Sequence, residues 1–383
     1  MSNNKITQKK ISSASPFYDD DDIALIQKDV GQILKSKRLV LGPYTKKLEE
    51  KFSEYIGTKY GIAVNSATAA LDISLRYCDV KDYEVIVPTN TFISCANAVL
   101  YAGGKPIFAD MDPQSFCIDL DDVKKKLSSK TKAIMVVHLS GLPEPQLQNL
   151  LDLCAENNIR LIEDCSHAHG STLNGKKVGS FGLAGCFSFF ATKIIPTGTG
   201  GIITTNDPEL YSFAEALRHQ GGIGGEGQIE VFDKFGYDWM MSEITAALGI
   251  NQLDKLEKQI KKRIELANLY HNELKNIKGI HIVPDYPNTR NVYWKYIITL
   301  DENSDRNKIR EIMRDKFFID AGILYPTLCH LQPVYRNMGH KEGECPKAEQ
   351  TMKRQLTLPI NPYMTKEDIK YVVESLKYSI SQT

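Results

Sequence analysis

The sequence predicts an α/β fold: a large unit built on a mainly parallel sheet, followed by a smaller α+β unit. Three observations carry this. Seven short apolar runs recur between Ile62 and Thr205. Several are continuously apolar instead of alternating, as strands buried on both faces are. Between them lie stretches with apolar residues at helical spacing, and strands alternating with helices build parallel sheets.

The elements follow in order. Residues 1–20 are polar and are expected to be frayed. From about Ile23 the alternation begins. Ile62-Ala63-Val64 reads as a strand, followed by Ala67, Ala70, Leu71 and Leu75 at helical spacing. Further strands are Val85-Ile86-Val87, Pro106 to Ala109, Ala133 to Val137, Leu161-Ile162 and Cys186 to Phe189. Gly201 to Thr205 closes the series. Near Met241 the pattern changes, and Ser242 to Ala267 reads as one or two long helices. Beyond Pro284 come a strand at Val292 to Leu300, a charged helix near Asn307 to Phe317, a loop rich in Pro, His and Gly, and a terminal helix from Lys366. The expected division is a flexible segment 1–20, a large unit 21–254 and a small unit 255–383.

Composition narrows the function. A chain of 383 residues is long for one compact domain. Lys+Arg and Asp+Glu balance at 47 each, so no net field draws the protein to nucleic acid or an anionic membrane. No apolar stretch reaches the roughly 18 residues that span a bilayer. Met1 to Lys10 is polar and basic, unlike a secretory signal. The eight cysteines lie in apolar runs without metal-ligand spacing, and read as reduced, buried thiols of a cytoplasmic protein.

The chemistry concentrates around Lys193, in the run Ser188-Phe189-Phe190-Ala191-Thr192-Lys193-Ile194-Ile195-Pro196-Thr197-Gly198-Thr199-Gly200-Gly201. A lysine between an apolar strand and a glycine-rich turn can be partly desolvated, which lowers its pKa and makes it nucleophilic toward an aldehyde. Alone, such a residue reads as a surface lysine at a strand end; the company that Lys193 keeps is what overturns that reading. Asp164 ends the run Arg160 to Asp164, and beyond the carboxyl ends of parallel strands is where ligands bind. A carboxylate there can hold a pyridine nitrogen protonated, or merely cap a helix. Ala67 and Thr68 open a helix directly after a strand, where free N–H groups and the helix dipole attract a phosphate. Ser188 could add a hydroxyl, and Phe92 could stack on a flat ring. Lysine, acid and phosphate cradle are what a pyridoxal 5'-phosphate (PLP) enzyme needs.

Together these elements resemble the DegT/StrS family, the sugar aminotransferases among the fold-type-one PLP-dependent transferases, in which a seven-stranded sheet is flanked by helices. The resemblance runs from Arg38-Leu39-Val40-Leu41-Gly42-Pro43 to Leu356-Thr357-Leu358-Pro359-Ile360. Its most specific pieces are Asn65 to Leu71, Glu163-Asp164-Cys165-Ser166-His167-Ala168-His169-Gly170 and Ser188 to Gly201. Met241 to Gly249 and His330-Leu331-Gln332-Pro333-Val334-Tyr335 also match.

The resemblance implies that Lys193 forms the Schiff base and then moves the proton. It implies that Asp164 pairs with the pyridine nitrogen, that Phe92 packs on the ring, and that Ala67, Thr68 and Ser188 hold the phosphate. His167 stands where the family more often has Gln, in contact with the ring hydroxyl. It further implies homodimers with shared sites, a nucleotide-linked keto sugar as acceptor and L-glutamate as donor. The stretch Thr197 to Gly201 is closer to members acting on 4-keto sugars than on 3-keto ones.

One segment departs from the pattern. The family usually has Gly-Tyr-Asn-aromatic-Arg, whose Asn reaches the partner's phosphate; here the run is Gly236-Tyr237-Asp238-Trp239-Met240. An aspartate at that contact would repel a phosphate by roughly 1–4 kcal/mol. Three other readings compete. A sugar dehydratase of the family would carry His at the Lys193 position. A cyclitol aminotransferase would share the site residues. A non-catalytic regulatory protein on this fold would be expected to lose the lysine or the aspartate.

Overall fold

The computed structural model describes residues 10–223 and 231–383. Seven strands form the central sheet: β1 (Tyr60–Val64), β2 (Glu84–Pro88), β3 (Lys105–Ala109), β4 (Thr131–Val137), β5 (Arg160–Asp164), β6 (Ala184–Ser188) and β7 (Gly201–Thr205). Their order is β1-β7-β6-β5-β4-β2-β3. Only β7 runs against the rest, pairing antiparallel with both β1 and β6. The continuous apolar runs are explained by helices on both faces, which leave Ile62, Val85, Ile86, Met135 and Ile162 without exposed surface.

Helices begin where the sequence supplies caps. In α1 (Asp20–Ser36), Asp19 and Asp22 form a reciprocal capping box. In α2 (Pro43–Ile56) the cap comes from far away. The Glu243 carboxylate accepts the N–H groups of Gly42, Tyr44 and Thr45, each at 2.8 Å, and Pro43 has none to offer. A Cβ on Gly42 would sit 2.6 Å from Glu243 Oε2, so glycine is what allows this approach. Glu243 opens α4 (Glu243–Asp254) and is 1% exposed. The Met-Ser-Glu motif therefore ties two helices together. Glu243→Ala leaves three backbone N–H groups and the Thr45 hydroxyl without this acceptor, and we expect it to lower stability by about 3 kcal/mol or more, read as a shift of the urea midpoint.

The long helical stretch is split: α4 ends at Asp254 and α5 (Leu256–Leu274) follows. A second core gathers Leu266, Tyr270, Leu274, Tyr296, Ile298, Met313, Leu356, Val372 and Leu376. It is built by α5, α6 (Arg306–Phe317), α7 (Lys366–Ser381) and the antiparallel strands β8 (Ile280–Ile282), β9 (Tyr296–Leu300) and β10 (Gln355–Leu358). Residues 324–352 return to the first core, where Tyr335 meets Phe108 edge-on at 5.0 Å. There His330 bridges Thr89 Oγ1 (2.5 Å) and Glu349 (3.0 Å), fastening this loop to the end of β2.

Residues 10–20 differ from the frayed expectation, while 1–9 lie outside the described residues. They are held by long-range contacts: Ile11 is buried and exchanges backbone hydrogen bonds with Phe318 and Asp320. Asn361 donates to the Ser12 carbonyl, and Lys295 to that of Ser13. None of these partners is near in sequence, so local composition carried no sign of them. Among the described residues, no helix is long and apolar enough to cross a membrane.

Candidate active site

The carboxyl edge of the sheet gathers most of the residues singled out above. Asp164 ends β5 and Ser188 ends β6. Ser188 lies opposite Gly201, which in turn pairs with Val64 at the end of β1. From Val64 the chain turns through Asn65 and Ser66 into α3 (Ala67–Tyr77). The Ser66 hydroxyl caps Ala69 N–H at 3.2 Å, and its carbonyl takes that of Ala70. The N–H groups of Ala67 and Thr68 are left directed out of the helix, a ready anion cradle. A Cβ on Gly201 would fall 2.6 Å from Ala67 N, so only glycine lets β7 pass behind this cradle.

Lys193 sits on the loop between β6 and β7. That loop is closed by Ala191 N–H to Gly198 C=O and Thr197 N–H to Phe189 C=O, and the Lys193 N–H donates to Phe190 C=O. Trp294 Nε1–H donates to Thr192 C=O at 2.7 Å, and the Lys193 ammonium lies 4.4 Å from the indole centroid. Burial pulls the Lys193 amine down to about 8, against the opposing pull of Asp164 and Cys95. A partly buried amine whose proton is held less tightly than usual, within electrostatic range of Asp164, has the character that the sequence led one to expect of a nucleophile.

Asp164 is 5% exposed and anchored from two sides. Cys95 Sγ–H donates to Oδ2 at 3.0 Å, and Ser166 N–H to Oδ1 at 2.9 Å. Phe92 is 57% exposed, its ring presented outward next to the site. His167 is buried; its ring stacks on Trp294 at 3.9 Å and 12°. Burial, with Lys193, His169 and Lys295 nearby, holds its imidazole well below its usual range, so it is neutral.

Asp238 stands apart from this group. Its side chain is exposed, and its carbonyl accepts from Asn65 Nδ2 at 3.3 Å, on the turn that leads into the cradle.

Four further residues border the site that the sequence did not suggest. Cys95 and Tyr325 act through contacts with Asp164 and His167, from helix Ser94–Tyr101 and from the loop after α6. Trp294 and Lys295 lie just before β9. Burial pulls Lys295 to about 8, with Arg263 contributing. The one available signal was a Trp-Lys pair inside an otherwise apolar strand pattern.

The residues present fit PLP. The cradle at Ala67 and Thr68 suits a phosphate, Asp164 a pyridine nitrogen, Phe92 a ring face, and Lys193 an aldehyde carbon. Known proteins resemble this chain along most of its length. The sequence profile of the DegT/DnrJ/EryC1/StrS aminotransferase family matches residues 20–377. GDP-perosamine synthase of Escherichia coli O157:H7 is 34% identical, over 88% of this chain and 90% of that protein. A dTDP-4-dehydro-2,3,6-trideoxy-D-glucose 4-aminotransferase of Saccharopolyspora spinosa is 30% identical, over 92% and 93%. The PLP form of Spr1654 of Streptococcus pneumoniae superposes with a TM-score of 0.89 at 27% identity, covering 98% of this chain and 99% of that one. The chain belongs to the DegT/DnrJ/EryC1/StrS family of PLP-dependent aminotransferases.

Proposed function

We propose that this protein transfers the amino group of L-glutamate to the ketone carbon of a nucleotide-linked keto-deoxy sugar, preferring a 4-keto to a 3-keto sugar. The observation that carries the reading is the placement of Lys193 on the loop after β6, at the sheet edge where Asp164 ends β5, with its amine 4.4 Å from the Trp294 ring and drawn down to about 8 by burial. The nucleotide-sugar class rests on the relatives just described, and the 4-keto preference on the Thr197 to Gly201 stretch.

The roles divide by position. Ala67 and Thr68 N–H groups, with the Ser188 hydroxyl, bind the cofactor's phosphate. Phe92 packs on its ring, Asp164 holds its pyridine nitrogen protonated, and His167 lies on the ring-hydroxyl side. When bound, PLP supplies the electron sink that stabilises negative charge on the substrate carbon. As a neutral amine, Lys193 would take the proton from that carbon and hold it on its own nitrogen, on the face of the ring it occupies. Asp164 serves the far end of the ring and cannot reach this proton.

In this reading residues 21–254 carry the cofactor, and 255–383 form the smaller unit whose segment 324–352 closes back on the site. The protein acts in the cytoplasm as a homodimer. Phe92 and Phe190 are 57% and 54% exposed beside the site, large apolar surface that a second copy would cover. Asp238 then faces the partner's phosphate, offset by a cation or turned aside.

Turnover of a panel of nucleotide-linked keto sugars and cyclitol ketones with nitrogen-15 glutamate, read by mass, tests the proposal. The expected result is label in one or more amino sugars, with 4-keto substrates leading. Label appearing only with cyclitol ketones would replace the sugar reading by the cyclitol one.

A further inference from the structure

Trp294 touches the Lys193 segment twice, through two different groups. Its Nε1–H donates to the Thr192 carbonyl at 2.7 Å, which ties down the backbone next to the lysine. Its indole face takes the Lys193 ammonium, 4.4 Å from the ring centroid. The far end of the same loop is tied separately, by the Tyr18 hydroxyl donating to the Pro196 carbonyl. Trp294 has little freedom of its own. It is 8% exposed, and its ring stacks on His167 at 3.9 Å and 12°.

The two contacts respond differently to charge. The hydrogen bond to Thr192 holds whatever the protonation state of the lysine. The ring contact does not, because an aromatic face attracts an ammonium and has no comparable hold on a neutral amine. Removing the face therefore withdraws support from the charged form alone. Other groups act on the same amine. Asp164 from β5 and Cys95 from helix Ser94–Tyr101 favour the ammonium. His167 and His169, on the segment after β5, lie within electrostatic range, but burial keeps both imidazoles neutral around pH 8. Lys295 is the one competitor that titrates in the same range: its ammonium is 5.3 Å from the same indole centroid, and burial draws it to about 8 as well.

We propose that Trp294 is a positioning residue for Lys193: its Nε1–H fixes the loop, and its indole face holds the ammonium in place until the proton is lost. This rests on Lys193 being the nucleophile proposed above, so every readout below is taken without cofactor.

The chain has two tryptophans, and Trp239→Phe leaves Trp294 as the sole reporter. An ammonium against an indole alters its emission, so emission of this protein should titrate near pH 8. The midpoint should coincide with that for acylation of Lys193, followed by peptide mass. In Lys193→Met the emission change should vanish; a change that persists there belongs to Lys295 and overturns the proposal. This arm leaves Trp294 in place, so it holds even where a variant at that position fails to fold. Trp294→Leu keeps apolar bulk and removes both contacts, and the Lys193 acylation midpoint should fall by about half to one pH unit. Trp294→Phe keeps an aromatic face and removes only the N–H. Its midpoint should stay within a few tenths of a unit, while the Lys193 amide exchanges with deuterium about tenfold faster and the amides of β4 are unchanged. An acylation midpoint that stays or rises in Trp294→Leu, or an unaltered Lys193 amide in Trp294→Phe, overturns the proposal. If the emission and acylation results held but added PLP left no label on Lys193, the nucleophile reading would fail and the Trp294 contact would stand.

Discussion

Replacing Lys193 by Ala is expected to reduce steady-state amination by at least about 10²–10⁴-fold, the usual worth of a positioned general base, with the loss of the covalent attachment added. The same change should abolish the borohydride-stable label that otherwise maps to Lys193, while non-covalent retention of PLP by Ala67, Thr68 and Asp164 continues. The unaltered lysine should also show its depressed pKa directly. As pH rises through about 8 the amine loses its proton and becomes nucleophilic. Covalent capture of added PLP should therefore accelerate up to about pH 9 and level off, whereas an unperturbed lysine would gain until beyond pH 10. Near-normal turnover by Lys193→Ala together with inactivity of His167→Ala would assign the base to His167 and reopen the dehydratase reading.

Asp164→Asn should cost about 10²–10³-fold in turnover, the scale on which removal of one preorganised charge contact is felt, and by a different route. An amide cannot hold the pyridine nitrogen protonated, so the electron sink weakens while Lys193 still attaches. The expected pattern is low activity with the Lys193 label intact, the reverse of Lys193→Ala. The Ser166 N–H can still donate to the Asn oxygen, so the loop should remain folded. Loss of label in Asp164→Asn, with folding preserved, would show that the aspartate organises the lysine and not the ring.

The fold was legible because its determinants are local. Strands buried on both faces leave continuous apolar runs, and the sheet holds one strand for each run from β1 to β7. Lys193, Asp164, Ser188 and the Ala67-Thr68 helix start could be singled out for a related reason: each sits at a strand end or in the loop just beyond one, and strand ends are what patterning marks best. The segment 10–19 and the return of residues 324–352 were not legible, since Ile11 with Ile319 and Tyr335 with Phe108 are pairs made only by folding.

What the sequence determined by itself is thus the layered architecture, the family and the residue types along one sheet edge. Only the tertiary structure decided how those residues act. The lysine is drawn to about 8 by burial among groups distant in the chain, a desolvation that no single run encodes. His167 is contacted at Nδ1 by the Ser140 N–H and at Nε2 by the Tyr325 hydroxyl, 27 and 158 positions away. Both are held in backbone conformations that their side chains do not favour, and composition cannot reveal a strain that the surrounding packing imposes.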